Sequence, residues 1–308
     1  MKKLLHIGVN AGSESMPKYF REQCDYKELK LDHDLFRNLN ELTASGYVPD
    51  TVFIQIQNDT INGVDCNALI GSQMRYFKSK GATVINWTGD MRNYTPQWMI
   101  NFAHNVTYTM FSNQRDVDYC KALEIKTGFL QQGIDTHIFT PDGEAAYVPE
   151  IVFLANNYVN QFPLSPYRKH VVKRLRAHFG SRFRVYGNGW DGDAGNVNAS
   201  QYEEAKVYRG CKIAISVSHY DSDRYFSDRL GRAMCSGAFV LSHKYAGIDK
   251  DFKAGRDLDV FNDYDEMIGQ CVKYLENDDL RNEIAEAGQK IASEEFGYQN
   301  IVKQILAL

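Results

Sequence analysis

Short apolar runs recur along the first half of the chain, at residues 4–9, 51–56, 82–86, 106–111 and 126–130. Runs of this length, bounded by polar residues, read as strands buried on both faces, the pattern of a parallel sheet. Between them the period lengthens. Residues 34–45 place Leu35, Leu39 and Leu42 on one face and stop at Gly46. Residues 66–80 place Leu69, Ile70, Met74 and Phe77 on one face and stop at Gly81, so each glycine stands where a helix C-cap belongs. Strand and helix in alternation predict a doubly wound α/β sheet, because parallel neighbours need a crossover that covers the sheet face.

The periodicity breaks over residues 135–149, DTHIFTPDGEAAYVP, which hold two prolines and a glycine. It then restarts: strand 150–155, helix 166–179, strand 183–186, helix 201–208, strand 212–218, helix 227–236, strand 238–242, a short strand at 258–261 and three helical stretches from 264 to the end. Three segments result: a domain over 1–140, a second αβ domain over 150–290, and a terminal helix at 291–308 expected to pack back toward the first domain. A chain of 308 residues is long enough for two such cores. Two Rossmann-like domains facing one another would put the carboxyl ends of their strands, where ligands bind in open parallel sheets, around a shared cleft.

Composition narrows the function classes. With 44% hydrophobic and 24% charged residues the whole chain is expected to fold. A formal charge of −4 argues against a generic polyanion binder, whose affinity would come from neutralised phosphates. The six cysteines are scattered without CxxC pairs, which suits reduced thiols in the cytoplasm, or in a host's cytoplasm for a viral protein. No stretch approaches the roughly 20 apolar residues that a membrane span needs.

The chemistry concentrates in residues 225–242, YFSDRLGRAMCSGAFVLS. Ser227 suits an N-cap, Leu230 and Met234 form an apolar i,i+4 pair, and Gly237 suits a C′ position, so the segment reads as a short helix beginning at Asp228. Free backbone N–H groups at such an end attract anions. Arg229 and Arg232, three apart, could fork hydrogen bonds onto phosphate oxygens, or could instead pair on the surface with Asp221, Asp223 or Asp228.

The run KIAISVSHYDSDRYFSDRLGRAMCSGAFVLS, the following AGIDKDFKAGRDLDVF, the helix YRKHVVKRLRAHFG and the turn VYGNGW together resemble the C-terminal domain of the CgeB-like, group 1 glycosyltransferases of bacterial and phage type. The resemblance covers about residues 150–300. It implies the GT-B fold, a nucleoside diphosphate sugar as co-substrate, with a UDP-sugar favoured, and transfer of the sugar to an acceptor hydroxyl. In the turn, Gly187, Asn188, Gly189 and Trp190 would approach the base and ribose; the alternative is a plain αβ turn with a buried tryptophan. Ser218, His219 and Tyr220 would face the donor sugar or phosphates, His219 in a catalytic or a structural role. Ser227 and Arg229 match the diphosphate-facing SxR element, with Arg229 also catalytic. Asn10 and Gly12, in the first strand-to-helix loop, would approach the sugar. Asp90, in a Thr-Gly-Asp turn after a strand, could deprotonate the acceptor if the reaction inverts, hold it if the reaction retains, or simply form an Asx turn.

One departure stands out. Many retaining GT-B enzymes carry two glutamates eight apart, and the corresponding positions here are Arg224 and Arg232. Ribose recognition by a carboxylate is thereby put in question, and Arg232 becomes a candidate for phosphate contact. No resident cofactor or metal is expected, the Asp221-Ser222-Asp223 triplet reading as a solvated loop. The acceptor is open among DNA, a glycan and a small molecule, hydroxymethylated pyrimidine in phage DNA being one specific case. The alternative function is a non-catalytic nucleotide-sugar-binding protein with the same fold.

Overall fold

A computed structural model describes the chain except residues 9–14, 62, 193 and 198–199. It divides into two compact units, 1–132 with 298–308, and 133–297.

In the first unit the strands are β1 (Lys3–Gly8), β2 (Asp25–Lys30), β3 (Thr51–Ile54), the two-residue pair β4 (Thr60–Ile61) and β5 (Val64–Asp65), then β6 (Thr83–Thr88), β7 (Tyr108–Phe111) and β8 (Thr127–Phe129). The main sheet is parallel throughout, in the order β2-β1-β3-β6-β7-β8. Alternate residues of each central strand feed separate cores. Leu5, Ile7, Val52, Ile54 and Val84 pack with helices α2 (Leu35–Ala44) and α3 (Cys66–Ser79). Leu4, Phe53, Ile85 and Trp87 pack with α1 (Ser15–Gln23) and the terminal helix (Tyr298–Ala307). A strand buried on both faces must be apolar at every position, which is why these read as continuous runs. Edge strand β2, DYKELK, carries no such run because most of its residues stay partly exposed.

The second unit repeats the plan with β9 (Ile151–Leu154), β10 (Phe183–Tyr186), β11 (Ala194–Gly195), β12 (Ile213–Ser216), β13 (Phe239–His243) and β14 (Asp259–Phe261), parallel in the order β11-β10-β9-β12-β13-β14. The helix Ser165–Phe179 buries Val171, Val172 and Leu175 against one face. The helix Asp228–Cys235 buries Leu230, Ala233 and Met234 against the other. The chain leaves β9 toward β10 on one side and returns to pair β12 with β9 on the other. The strand order therefore reverses between β9 and β12, and a crevice opens outside their carboxyl ends.

Candidate functional site

That switch point holds a recess of about 20 Å³, the size of a water molecule, with Leu154 and Ser216 at its floor and Arg168, Ser218, Ser227 and Arg229 around it. The helices that supply the two arginines cover opposite faces of the sheet, so the guanidinium groups meet only over its edge. Ser227 adopts the extended N-cap conformation, and its Oγ accepts from the Arg229 N–H at 3.4 Å. The Asp228–Cys235 helix thus opens directly at the recess with its positive dipole end.

Arg168 was not legible as a site residue. It occupies the apolar stripe of its helix, one turn before Val171 and Val172, and is only 4% exposed. Its Nη1 lies against the His219 imidazole, bonded to Nδ1 and 2.8 Å from Nε2, and its guanidinium stacks 5.4 Å from the Phe153 ring centroid. Its Nε is buried and has no partner among the described residues. Burial, and then the charge of Arg229, depress its pKa from 12.5 to about 10. Arg229 itself makes no side-chain hydrogen bond or ion pair among the described residues. Two cations held together without a carboxylate between them form a site built for an anion.

His219 is neutral at physiological pH. Burial and the charges of Arg168 and Arg229 lower its pKa to about 3. Its ring is packed 4.4 Å from Phe162 and 5.3 Å from Tyr158, so it serves as a fixed hydrogen-bond partner for Arg168, with no proton to exchange near pH 7. Ser218 is buried beside it, and Tyr220 packs edge-on against Phe162 and Tyr225.

The turn after β10 is fixed by the loop after β9. A side chain on Gly187, at φ +140°, would place Cβ 2.3 Å from the Ala155 carbonyl oxygen, and one on Gly189 would lie 2.4 Å from that of Asn157. The Asn188 N–H donates to Asn156 Oδ1 at 2.9 Å. Trp190 donates from Nε1 to the Ala155 carbonyl at 2.5 Å and packs on Phe153, leaving Asn188 and Gly189 exposed. The glycines thus let two loops approach closely, and the tryptophan braces the turn.

Arg232 stands apart from Arg229. Its Nη1 is 2.9 Å from Glu204 Oε2 and its Nη2 is 2.6 Å from Asp228 Oδ2, so one of the surface pairings open in the sequence is realised and Glu204 is added to it. The two carboxylates therefore engage the Arg232 guanidinium that the sequence offered to phosphate. Arg224, at the other glutamate-replacing position, has φ +52° and a bidentate pairing with Asp251 at 3.0 and 2.5 Å. Asp223 pairs with Lys250 at 3.2 Å.

The remaining expected residues lie elsewhere. Asn10 and Gly12 fall outside the described residues. Asp90 is exposed in the first unit, and its backbone carbonyl accepts from Arg92 at 3.1 Å. Among the described residues, metal-ligand geometry occurs at Asp32, His33 and Asp34, where Asp34 also pairs with Arg37 at 2.9 Å. No helix among the described residues is long and apolar enough to cross a membrane.

Residues 168–307 match the family described as glycosyl transferase-like. No curated protein matches the sequence. Three solved structures share the fold across both units. Sucrose-phosphate synthase from Thermosynechococcus elongatus is 9% identical, with 100% of this chain and 98% of that one covered at a TM-score of 0.68. Anabaena HepE, in complex with UDP, is 12% identical, with coverage of 99% and 98% and a TM-score of 0.60. The catalytic domain of starch synthase IV from Arabidopsis thaliana, bound to ADP and acarbose, is 8% identical, with coverage of 100% and 100% and a TM-score of 0.64. The family match begins at the buried Arg168 and includes the whole Asp228–Cys235 helix, so the second unit is similar to the glycosyl transferase-like family over residues 168–307, and the chain as a whole has the GT-B fold.

Proposed function

We propose that the second unit binds a nucleoside diphosphate sugar, a UDP-sugar by preference, and that the protein transfers its sugar to an acceptor hydroxyl. The observation that carries this reading is the pair Arg168 and Arg229 at the β9–β12 switch point, neither guanidinium paired with a carboxylate among the described residues, beside the N-terminus of the Asp228–Cys235 helix. Negative charge grows on the diphosphate as the glycosidic bond loosens, and preorganised cations stabilise it there. Ser218 and Ser227 add hydroxyl contacts, Gly187 to Gly189 offer backbone and Asn188 a side chain to base and ribose, and neutral His219 holds Arg168 in place. The UDP complex of the Anabaena structure supports the choice of base. Asp90 is assigned to the acceptor, which we take to be a hydroxyl of a glycan or of a hydroxymethylated pyrimidine in DNA.

A melting-temperature panel of UDP, GDP, ADP and CMP with their sugars tests the donor, since a ligand that binds only the native state raises the melting temperature. UDP and a UDP-sugar are expected to give the largest rise. If no nucleotide shifted the transition, the donor reading would fail. A second reading, a nucleotide-sugar binder without turnover, is favoured by the engagement of Arg224 and Arg232 with protein carboxylates where the wider superfamily has glutamates. Slow release of free sugar from the donor without acceptor, suppressed in Arg229→Ala, separates transfer from binding alone.

A further inference from the structure

Three arginines and two acids crowd the start of the Asp228–Cys235 helix, yet their pairing is uneven. Glu204, in the helix Gln201–Gly210, is 6% exposed. Its Oε2 accepts from Arg232, while its Oε1 is buried and has no partner among the described residues. Asp228 accepts from Arg232 on one oxygen and from the Ser227 hydroxyl on the other, at 3.1 Å. Arg232 is further fixed over the Phe139 ring at 5.3 Å. Both carboxylates also feel the charge of Arg229, whose guanidinium bonds to neither among the described residues while its backbone N–H reaches Asp228.

From this arrangement we infer that Arg232 is a positioning residue: by engaging Glu204 and Asp228 together, it keeps their carboxylates from pairing with Arg229 and so reserves that guanidinium for the diphosphate. The inference rests on the donor reading above. Its physical basis is competition. A buried carboxylate with a free oxygen takes the nearest available guanidinium, because leaving either charge uncompensated in a poorly solvated site is costly. With Arg232 present, both acids have a cation, and the Arg229 guanidinium has no partner among the described residues. Without it, Glu204 and Asp228 would face Arg229 alone and draw it from the recess. The burial of Glu204, which pushes its carboxyl above the usual range against the pull of Arg232, fits a group whose charge depends on that neighbour.

Calorimetric titration with UDP and with inorganic pyrophosphate, which probes the phosphate contacts without the base, tests the inference in the full chain. Arg232→Met is expected to weaken both ligands by about 10- to 100-fold, the range for a lost hydrogen bond to a charged group. The triple variant R232M/E204Q/D228N, in which the competing charges are removed as well, is expected to recover affinity to within about threefold of the wild type, as coupled neighbours do when the interaction between them is abolished. A purely structural role would predict a further loss. Wild-type affinity in R232M, or a folded triple variant that still binds weakly, would overturn the inference. Should R232M not fold, the triple variant decides alone, since neutral isosteres can replace a buried ionic cluster without penalty. Arg229→Met separates the two levels: undiminished pyrophosphate and UDP binding in that variant removes the donor reading itself, whereas loss there with full binding in R232M removes only the role of Arg232.

Discussion

Replacing Arg168 with methionine should stabilise the ligand-free protein while abolishing donor binding. Arg168 is a buried cation whose pKa falls from 12.5 to about 10, through burial first and Arg229 second. At about 1.4 kcal/mol per tenfold change, that depression corresponds to roughly 3 kcal/mol by which the folded state disfavours the charge. A basic group with a folded pKa below its unfolded one is protonated in both states at neutral pH, so the whole penalty acts there and is relieved only as pH rises through about 10. Methionine removes the charge and keeps an unbranched apolar stem beside Phe153. The losses are the hydrogen bonding to His219 and the stacking on Phe153, together about 1–2 kcal/mol. A net gain of about 1–2 kcal/mol remains, and for a domain of this size each kcal/mol moves the melting temperature by about 2–4 °C. Calorimetry without ligand is therefore expected to show a rise of about 2–8 °C. The second measurement repeats the scan with saturating UDP, which raises the wild-type transition and leaves that of the variant in place. A variant that melts lower than the wild type and keeps its UDP-induced rise would refute the reasoning, because Arg168 would then be an ordinary structural cation.

Other consequences can be checked as directly. Arg229→Ala should lower turnover by about 10²-fold or more, the range for removal of one electrostatic stabiliser, and unimpaired turnover in that variant would sink its assignment. Gly187→Ala should cost about 2–4 kcal/mol in urea unfolding, because its Cβ meets the Ala155 carbonyl at a left-handed backbone position; a loss below 0.5 kcal/mol, the scale of a surface change, would show that the two loops are not locked. Stability should fall as pH drops below about 7. Burial lowers His243 to about 4, against weaker opposing effects of Ser216 and Asp221, and lowers His219 to about 3, so the unfolded chain binds protons that the fold excludes between the ordinary value of 6.5 and those limits. Unfolding free energies that stay level from pH 7 to 5 would count against both neutral imidazoles.

The strands of both sheets were legible because burial on two faces forces continuous apolar runs, and the helix 228–235 because Ser227, Leu230, Met234 and Gly237 carry cap and face signals at fixed spacing. Strand β2 was not, since an edge strand needs no apolar run, and the helix Gln97–Ala103 was hidden by its length of 7 residues. At the site, Ser227 could be placed as a cap from local spacing, and Arg229 by the resemblance to the SxR element. Arg168 could not. Its signal is an arginine standing on the apolar stripe with Val171, Val172 and Leu175, which sequence periodicity treats as an exception to be ignored. The differing fates of Arg229 and Arg232 were equally invisible, because they depend on Glu204, which reaches them only through the packing of helix 201–210 beside helix 228–235.

The arginines at the two glutamate positions of the wider superfamily acquire a physical meaning from this packing. A glutamate at either position would bring a negative charge next to a diphosphate and would need its own compensation. Here the signs are exchanged: the cations sit at those positions, and the carboxylates come from elsewhere, Asp251 to Arg224 and Glu204 with Asp228 to Arg232. Each replaced position is thus closed within the protein, and the charge left open to a ligand is that of Arg168 and Arg229. On the donor reading proposed above, a site of that composition would hold the diphosphate firmly but would offer no carboxylate from the usual positions to the ribose or the sugar. Hydroxyl recognition then falls to neutral groups at the same edge, Ser218, Ser227 and Asn188, whose hydrogen bonds are individually weaker than those of a carboxylate. Discrimination among donors should accordingly depend more on the diphosphate than on the sugar, so UDP and a UDP-sugar are expected to bind within about tenfold of each other. A UDP-sugar that bound more than about 100-fold tighter than UDP would require a sugar-directed carboxylate, and would contradict this exchange of charges.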